Sequence, residues 1–373
     1  MSPNLTASFW KRMGLQDEDQ GRCLRVIQEA YPEHTVGILN QQGYCSFTVI
    51  VYLHALALGT EDEEVSNSQS GSSATKTWIL QIRPQQHALD LNIIDAAIQA
   101  YGPAAPRTRL LNCRLPSNLA AFELDFVSGR AYSRCQLRTR DIDPLMLHKH
   151  IMLVESFASL MARSWPLSSE SNTCRRMRAD SPINDSPRGL QVQCDGRVGK
   201  RMRSKLSALA SSLPDAALRT KAHDVLAALN DLGEHPIVLT HGDLIPSNIL
   251  IDPKTWRIKG LVDWAEAEWL PFGTCLYGLE HLLGFMDKTS TGQPVWRYYN
   301  ATPDLRARFW EQMIQEKPEI GDCRKTTKLA RDIGVLLWYG YAWDEGAIDR
   351  VVNEVDDREE LECLRTFLEI STP

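Results

Sequence analysis

One run of residues constrains this chain more than any other: positions 236–272, PIVLTHGDLIPSNILIDPKTWRIKGLVDWAEAEWLPF. Pro236–Thr240 reads as a short buried strand. His241, Gly242 and Asp243 follow as a polar cluster, with Asn248 beyond a short loop. Ile249–Asp252 is apolar again, Pro253–Trp256 reads as a hairpin turn, and Lys259–Val262 returns as a strand that delivers Asp263 and Trp264. Two carboxylates and an amide thus fall at strand ends and in loops, where a scaffold can hold them and a substrate can reach them. The DLIPSN loop lets Asp243 and Asn248 point into the same small volume.

Phosphoryl transfer needs this set of groups. One carboxylate accepts a hydroxyl proton, and an amide and a second carboxylate hold magnesium against a triphosphate. The pattern H-G-D-x-x-x-x-N, a hairpin, then D-W resembles the aminoglycoside phosphotransferase and choline kinase group, small-molecule relatives of protein kinases. The run DWAEAEWLPFG…LYGLE resembles in particular a divergent branch of that family found widely in fungi, some members of which sit beside natural-product pathways. The resemblance implies that Asp243 is the catalytic base, that Asn248 and Asp263 are metal ligands, that His241 braces the loop, and that ATP and Mg2+ are the cofactors.

Bulk composition narrows the alternatives. The 373 residues are 43% hydrophobic, enough for two lobes. The net charge of −6 provides no basic field for nucleic acid, and the local run Arg197–Lys205 reads as a solvated helix face. Nine cysteines without a C-x-x-C pair suit a reducing compartment. No stretch approaches the roughly 18 apolar residues of a membrane span, and the N-terminus shows no signal-peptide core. A cytoplasmic enzyme acting on a small-molecule acceptor, without nucleic acid or membrane as partner, is the expectation. No motif encodes the acceptor or the oligomeric state.

Toward the N-terminus, Asp17–Ala30 reads as a helix, and Val36–Gln41 and Phe47–Ala55 as strands joined by Gln42–Ser46. That turn is the place for a loop covering phosphates, with Gly43 and Ser46 as candidate nucleotide contacts. Glu61–Thr77 is polar, acidic and Ser-rich, and reads as a loop. Trp78–Arg83 is the next strand. In kinase-like lobes it carries a lysine that grips phosphate; here Gln81 holds that place, with Arg83 two residues on and facing the same way. Phosphate grip would then fall to Arg83. The following helix, Leu89–Tyr101, lacks the glutamate that normally pairs with the lysine; Asp90 reads as its N-cap and Asp95 lies inside it. Two more strands, Arg109–Cys113 and Ala120–Phe126, lead to a hinge near Leu124–Val127. The resemblance implies adenine binding there through backbone groups, with Asp125 as a candidate contact.

The second lobe begins at residue 128, giving lobes 1–127 and 128–373. Helices are expected over Ile142–Arg163, Val198–Ser212, Asp215–Leu232, Pro303–Gln315, Thr326–Trp338 and Asp356–Leu368, with a long loop at Ser168–Gln191. Beyond Asp263, Glu266 and Glu268 either touch metal or a cationic substrate or brace the loop, and Glu280 is a further acidic candidate. Trp338, Tyr341 and Trp343, followed by Asp344, either form an aromatic receptor for an organic cation or pack the core at a helix end.

The expected fold is α+β and protein-kinase-like: a small lobe with an antiparallel sheet, then a larger, mainly helical lobe. The expected activity is ATP- and Mg-dependent phosphoryl transfer to a hydroxyl or amine of a small molecule. The same fold could instead use a transient phosphate for ligation, condensation or elimination. Loss of the strand lysine also leaves open a nucleotide-binding pseudoenzyme.

Overall fold

The computed structural model describes residues 9–40, 42–53, 76–166, 194, 196–344 and 347–370, without the side chains of residues 343–349. The loops expected at Glu61–Thr77 and Ser168–Gln191 lie outside the described residues, apart from Lys76 and Thr77. The chain forms two compact units. One comprises Ser2–Ile94 and Pro106–Val127; the other contains Asp95–Ala105 and Ser128–Pro373.

The first unit opens with a short helix, α1 (Phe9–Arg12), and a longer one, α2 (Asp17–Ala30). Asp17, Glu18 and Asp19 lie in the first turn of α2, where the helix dipole favours negative charge. One turn apart, Cys23 and Ile27 face the core. Five strands follow: β1 (His34–Ile38), β2 (Phe47–Leu53), β3 (Trp78–Pro84), β4 (Thr108–Leu110) and β5 (Leu119–Asp125). They form one antiparallel sheet in the order β1-β2-β3-β5-β4. β2, rich in β-branched residues, is buried over Phe47–Val51. Phe9, Trp10, Cys23, Ile27, Leu80 and Ile82 share the apolar core with it. Helix α3 (Leu91–Tyr101) starts in this unit. The Asp90 carboxylate accepts from the Asn92 amide at 2.9 Å, as an N-cap should.

The second unit is mainly helical. Its long helix α4 (Pro144–Arg163) starts on Asp143, whose carboxylate caps the Leu145 and Met146 amides, and has proline in its first turn. Three short antiparallel pairings position the site. β6 (Arg130–Ala131), β8 (Ile249–Ile251) and β9 (Ile258–Leu261) form one small sheet, and β7 (Ile237–Thr240) pairs with β10 (Glu268–Pro271). Helices Met202–Ser212, Ala216–Ala227, Tyr277–Leu283, Thr302–Glu316, Arg324–Tyr339 and Arg358–Phe367 complete the unit.

Two hairpins depart from the sequence expectation. Gly284–Lys288 pairs with Pro294–Tyr298 beyond the helix that starts at Tyr277. The aromatic run is not one helix end either: the helix stops at Tyr339, Gly340 caps it, and Tyr341–Asp344 pairs with Ala347–Val351. Aromatic residues alternating at 341 and 343 suit a strand better than a helix.

Candidate active site

The catalytic stretch is held by its own ladders. Backbone bonds from β8 to β9 continue past the strands, with the Val262 amide donating to the Asn248 carbonyl at 3.0 Å. Two segments separated by a hairpin therefore bring Asn248 next to the residue preceding Asp263. The turn between them is built by Asp252, whose carboxylate accepts from the Lys254 and Thr255 amides. Asp263 itself has φ of +64°, the left-handed region that a residue other than glycine seldom adopts. Trp264 anchors that turn: it is buried, its indole N–H donates to the Leu261 carbonyl at 2.9 Å, and its ring lies 4.5 Å from the His241 ring and 5.0 Å from that of Tyr101.

Asp243 is fixed from several sides. The Asn248 Nδ2 donates to its Oδ2 at 2.8 Å and to its carbonyl at 2.9 Å. Because both partners are acceptors, the Asn248 atom facing them is the nitrogen, and Oδ1 is left as the group that can ligate a cation. His241 is fully buried. Its Nδ1 accepts from the Asp243 amide at 3.3 Å, so Nε2 carries the proton and donates to the Val262 carbonyl at 2.9 Å. Burial holds His241 down to about 4, which keeps the ring neutral and this tautomer in place. Gly242 has φ of +77°, and a Cβ there would meet the Glu266 carbonyl oxygen at 2.0 Å. Only glycine allows that close approach of the two loops.

A residue that the sequence reading missed closes the clamp. The Tyr277 hydroxyl donates to the Gly242 carbonyl at 3.1 Å and accepts from the Leu244 amide at 3.0 Å. It therefore grips the backbone on both sides of Asp243. Its ring stacks on Trp338, with centroids 5.2 Å apart and planes 9° from parallel. A Tyr thirty-odd positions downstream carries no spacing signal that would have marked it.

Burial, then the charge of Asp263, pushes Asp243 up to about 7, against the hydrogen bond from Asn248. The neighbouring charges of Asp243 and Asp263 favour a cation beside them. Asn248 Oδ1 and the Asp263 carboxylate are hard oxygen donors of the kind magnesium takes, with nucleotide phosphates and waters completing the shell. Among the described residues no three His, Cys, Asp or Glu side chains cluster as a metal site. A magnesium ion held by one amide, one carboxylate and a triphosphate does not require one, so this donor set fits it.

The other candidates fall in different places. Glu266 is 49% exposed beside the catalytic loop and lies 3.6 Å from Arg197. Glu268 is buried on β10, and its carboxylate accepts from the Val198 and Gly199 amides; it braces the loop and is not open to substrate. Glu280 must be corrected more strongly. It is fully buried and takes hydrogen bonds from Arg306 at 2.7 and 2.8 Å, Arg331 at 2.6 Å and the Tyr298 hydroxyl at 2.7 Å. Every lone pair worth offering is spent on an internal ion-pair hub, which leaves nothing for a substrate.

Trp338 backs Tyr277. The Tyr341 ring already faces a cation, the Lys205 ammonium at 5.0 Å, and its hydroxyl donates to the Lys205 carbonyl. Neither ring is arranged as an empty receptor for an organic cation. The side chains of Trp343 and Asp344 lie outside the described residues.

In the first unit, Gln81 and Arg83 lie on one side of β3, and Arg83 Nε donates to Gln81 Oε1 at 3.0 Å. Arg83 is only 4% exposed and also reaches the His87 carbonyl, so part of its donor set is committed within the unit. Asp125 is engaged by Arg107 at 2.7 Å. Ser46 is 3% exposed, and a Cβ on Gly43 would lie 2.5 Å from its hydroxyl oxygen. That hydroxyl fills the inside of the turn, so the Gln42–Ser46 loop offers a nucleotide its backbone and not the Ser46 side chain.

The Phosphotransferase enzyme family matches residues 61–274, more than half of the chain and the whole catalytic stretch. The chain belongs to this family. It is a phosphotransferase of the protein-kinase-like α+β fold. Among solved structures it is similar to a protein from Ralstonia eutropha JMP134 whose aminoglycoside phosphotransferase assignment is itself provisional. Identity there is 12% over 93% of this chain and 96% of that one, with a TM-score of 0.51. It also matches the GDP complex of aminoglycoside 2'-phosphotransferase-IIIa, at 12% identity over 87% of this chain and 91% of that one, TM-score 0.48. A macrolide 2'-phosphotransferase from Brachybacterium faecium matches at 14% identity over 86% and 92%, TM-score 0.47. No curated protein matches the chain. Among the described residues no helix is long and apolar enough to cross a membrane.

Proposed function

We propose that this phosphotransferase moves the γ-phosphoryl group of ATP, as its magnesium complex, to a hydroxyl or amine of a small molecule, possible acceptors including those of a natural-product pathway. One observation carries the reading: Asp243 is clamped by Asn248, His241 and Tyr277, with one carboxylate oxygen bonded to Asn248. Asp243 orients the acceptor and takes its proton at the oxygen not bonded to Asn248. Burial raises its pKa, the direction that strengthens it as a base. Asn248 Oδ1 and Asp263 would hold magnesium, which when bound neutralises charge on the transferred phosphoryl. His241 stays neutral and holds the loop. Glu266, exposed at the edge of the loop, is the acid best placed to meet the acceptor. The eight cysteines among the described residues are free thiols, which supports a reducing compartment such as the cytoplasm.

The test combines binding and turnover. Mg-ATP should raise the melting point, and a chelator or Asp263→Asn should remove the rise. A ligand at a hundredfold excess over Kd adds about 2.7 kcal/mol. Asp243→Asn should keep the rise and lose turnover. Near-normal turnover in that variant would exclude Asp243 as the base. Release of ADP without a phosphorylated product would move the reading to chemistry through a transient phosphate.

A further inference from the structure

The basic run Arg197–Lys205 is not the solvated helix face that its composition suggests. Arg197, Arg201 and Lys205 recur at every fourth position, through the short turn Gly199–Arg201 and into the helix Met202–Ser212. That spacing puts Arg201 and Lys205 on one side. Arg197 and Arg201 are exposed, but Lys205 is only 8% exposed. Its ammonium lies 5.0 Å from the centre of the Tyr341 ring, and among the described residues it makes no hydrogen bond or ion pair. An aromatic ring meets one side of an ammonium group, which has three N–H donors to place. Burying such a charge is costly unless it is paired.

This face is docked on the catalytic stretch. The Glu268 carboxylate takes the Val198 and Gly199 amides at 3.0 to 3.2 Å, and a Cβ on Gly196 would lie 1.9 Å from its Oε2. Glu268 in turn pairs with Thr240 across β7 and β10, and the Glu266 carbonyl oxygen would stand 2.0 Å from a Cβ on Gly242. The basic face is thus tied to the residues on either side of His241, next to Asp243. Arg197, Arg201, Glu266 and Glu268 are the main charged neighbours of Lys205. Glu268 is committed to its two amides, and Glu266 makes one contact to Arg197 at 3.6 Å. Burial, then the charge of Arg197, lowers the Lys205 pKa and outweighs the opposing pull of Glu268 and Glu266. The balance around Lys205 is therefore short of negative charge, the reverse of what an amine-rich acceptor would need.

We propose that the acceptor is an acid: a hydroxylated small molecule whose carboxylate is taken by Lys205, with Arg197 and Arg201 beside it, while its hydroxyl is presented to Asp243. The inference rests on the phosphotransfer reading given above and names the substrate class of that site.

Calorimetry of the full chain loaded with Mg-ADP tests this on one carbon skeleton, with mandelate, mandelamide and phenylethanolamine as probes. Mandelate should bind about tenfold or more tightly than its amide, the scale of a charge-assisted hydrogen bond, and the amine should bind most weakly. Lys205→Met keeps an apolar stem in place and should remove the preference for the acid. If that variant does not fold, Arg197→Gln and Arg201→Gln, both at exposed positions, carry the comparison: each should weaken mandelate and leave the amide unchanged. The inference is overturned if the acid binds no better than the amide or the amine, the case where none binds included. It is equally overturned if the preference survives these substitutions. A wild-type chain that does not bind Mg-ADP would remove the nucleotide reading itself; Mg-ADP binding without the acid preference removes this inference alone.

Discussion

Replacing Tyr277 by phenylalanine removes one oxygen atom and should loosen the loop on both sides of Asp243, the base in the proposed reaction. The hydroxyl takes the Leu244 amide and gives to the Gly242 carbonyl, and Leu244 is fully buried. Water cannot readily replace the lost partner there. A buried group left unpaired costs about 1–3 kcal/mol. Counting the amide in full and the carbonyl at the lower end, the variant should lose about 2–4 kcal/mol of stability. The ring and its stack on Trp338 stay, so the loss comes from the hydroxyl alone. The effect on rate is separate. A displacement of about 1 Å at the reacting group is worth roughly a hundredfold in rate, so kcat should fall by about ten- to hundredfold while the KM for Mg-ATP changes little. Urea unfolding gives the first quantity as a lower midpoint at unchanged slope; steady-state kinetics at several ATP concentrations gives the second. A normal kcat in a destabilised variant would refute the link between this hydroxyl and the position of Asp243. Unchanged stability would refute the hydrogen bonds themselves.

Two predictions concern the rest of the same unit. Glu280→Gln should destabilise the chain by about 3–5 kcal/mol, because it strips a fully buried ion-pair hub of its charge and leaves Arg306 and Arg331 facing an amide. Burial alone would raise the Glu280 pKa, but hydrogen bonds and charge from Arg306 and Arg331 hold it down to about 2. Its contribution is therefore complete above the unfolded value near 4.5 and is lost as pH falls from there toward 2, so the stability gap between variant and wild type should be flat from pH 8 to 5 and narrow below about 4.5. His150 and His281 are held down to about 4 by burial. Between pH 6.5 and 4 the unfolded chain binds protons that the native chain does not, so stability should fall as pH drops through that window, by about 3 kcal/mol for each histidine at the lower end. Urea titrations at half-unit pH steps check both, and a stability that stays level from pH 6.5 to 5 would contradict the histidine assignment.

The fold class was legible because its signals are local. The α2 helix ends where composition placed it, and β2, β3 and β5 follow apolar runs bounded by turn residues. The elements that were missed depend on pairing across the chain. Glu268–Pro271 looks like part of a loop until it is seen beside Ile237–Thr240. Gly284–Lys288 becomes a strand only through Pro294–Tyr298. Short strands of this kind draw their stability from the partner and leave little trace in propensity.

The same division runs through the site. Asp243, Asn248 and Asp263 lie close in sequence, the last two flanking one hairpin, so their spacing carried the signal, and the structure places Asn248 on Asp243. Tyr277 reaches its target across 33 residues, through a hydroxyl whose purpose is visible only once the backbone is folded. Proximity in sequence misleads for the corresponding reason. Glu280 lies three residues beyond Tyr277, within the same helix, yet its partners stand 26 and 51 residues further on and draw it into the core. An acid near a catalytic motif is evidence of a substrate contact only while its charge is uncommitted. Glu268 is committed to two amides and Glu280 to two arginines, while Glu266 keeps an exposed carboxylate with one long contact to Arg197. Counting the partners each carboxylate already has therefore ranks the three acids, and it leaves Glu266 as the one whose substitution should change acceptor binding without first unfolding the loop.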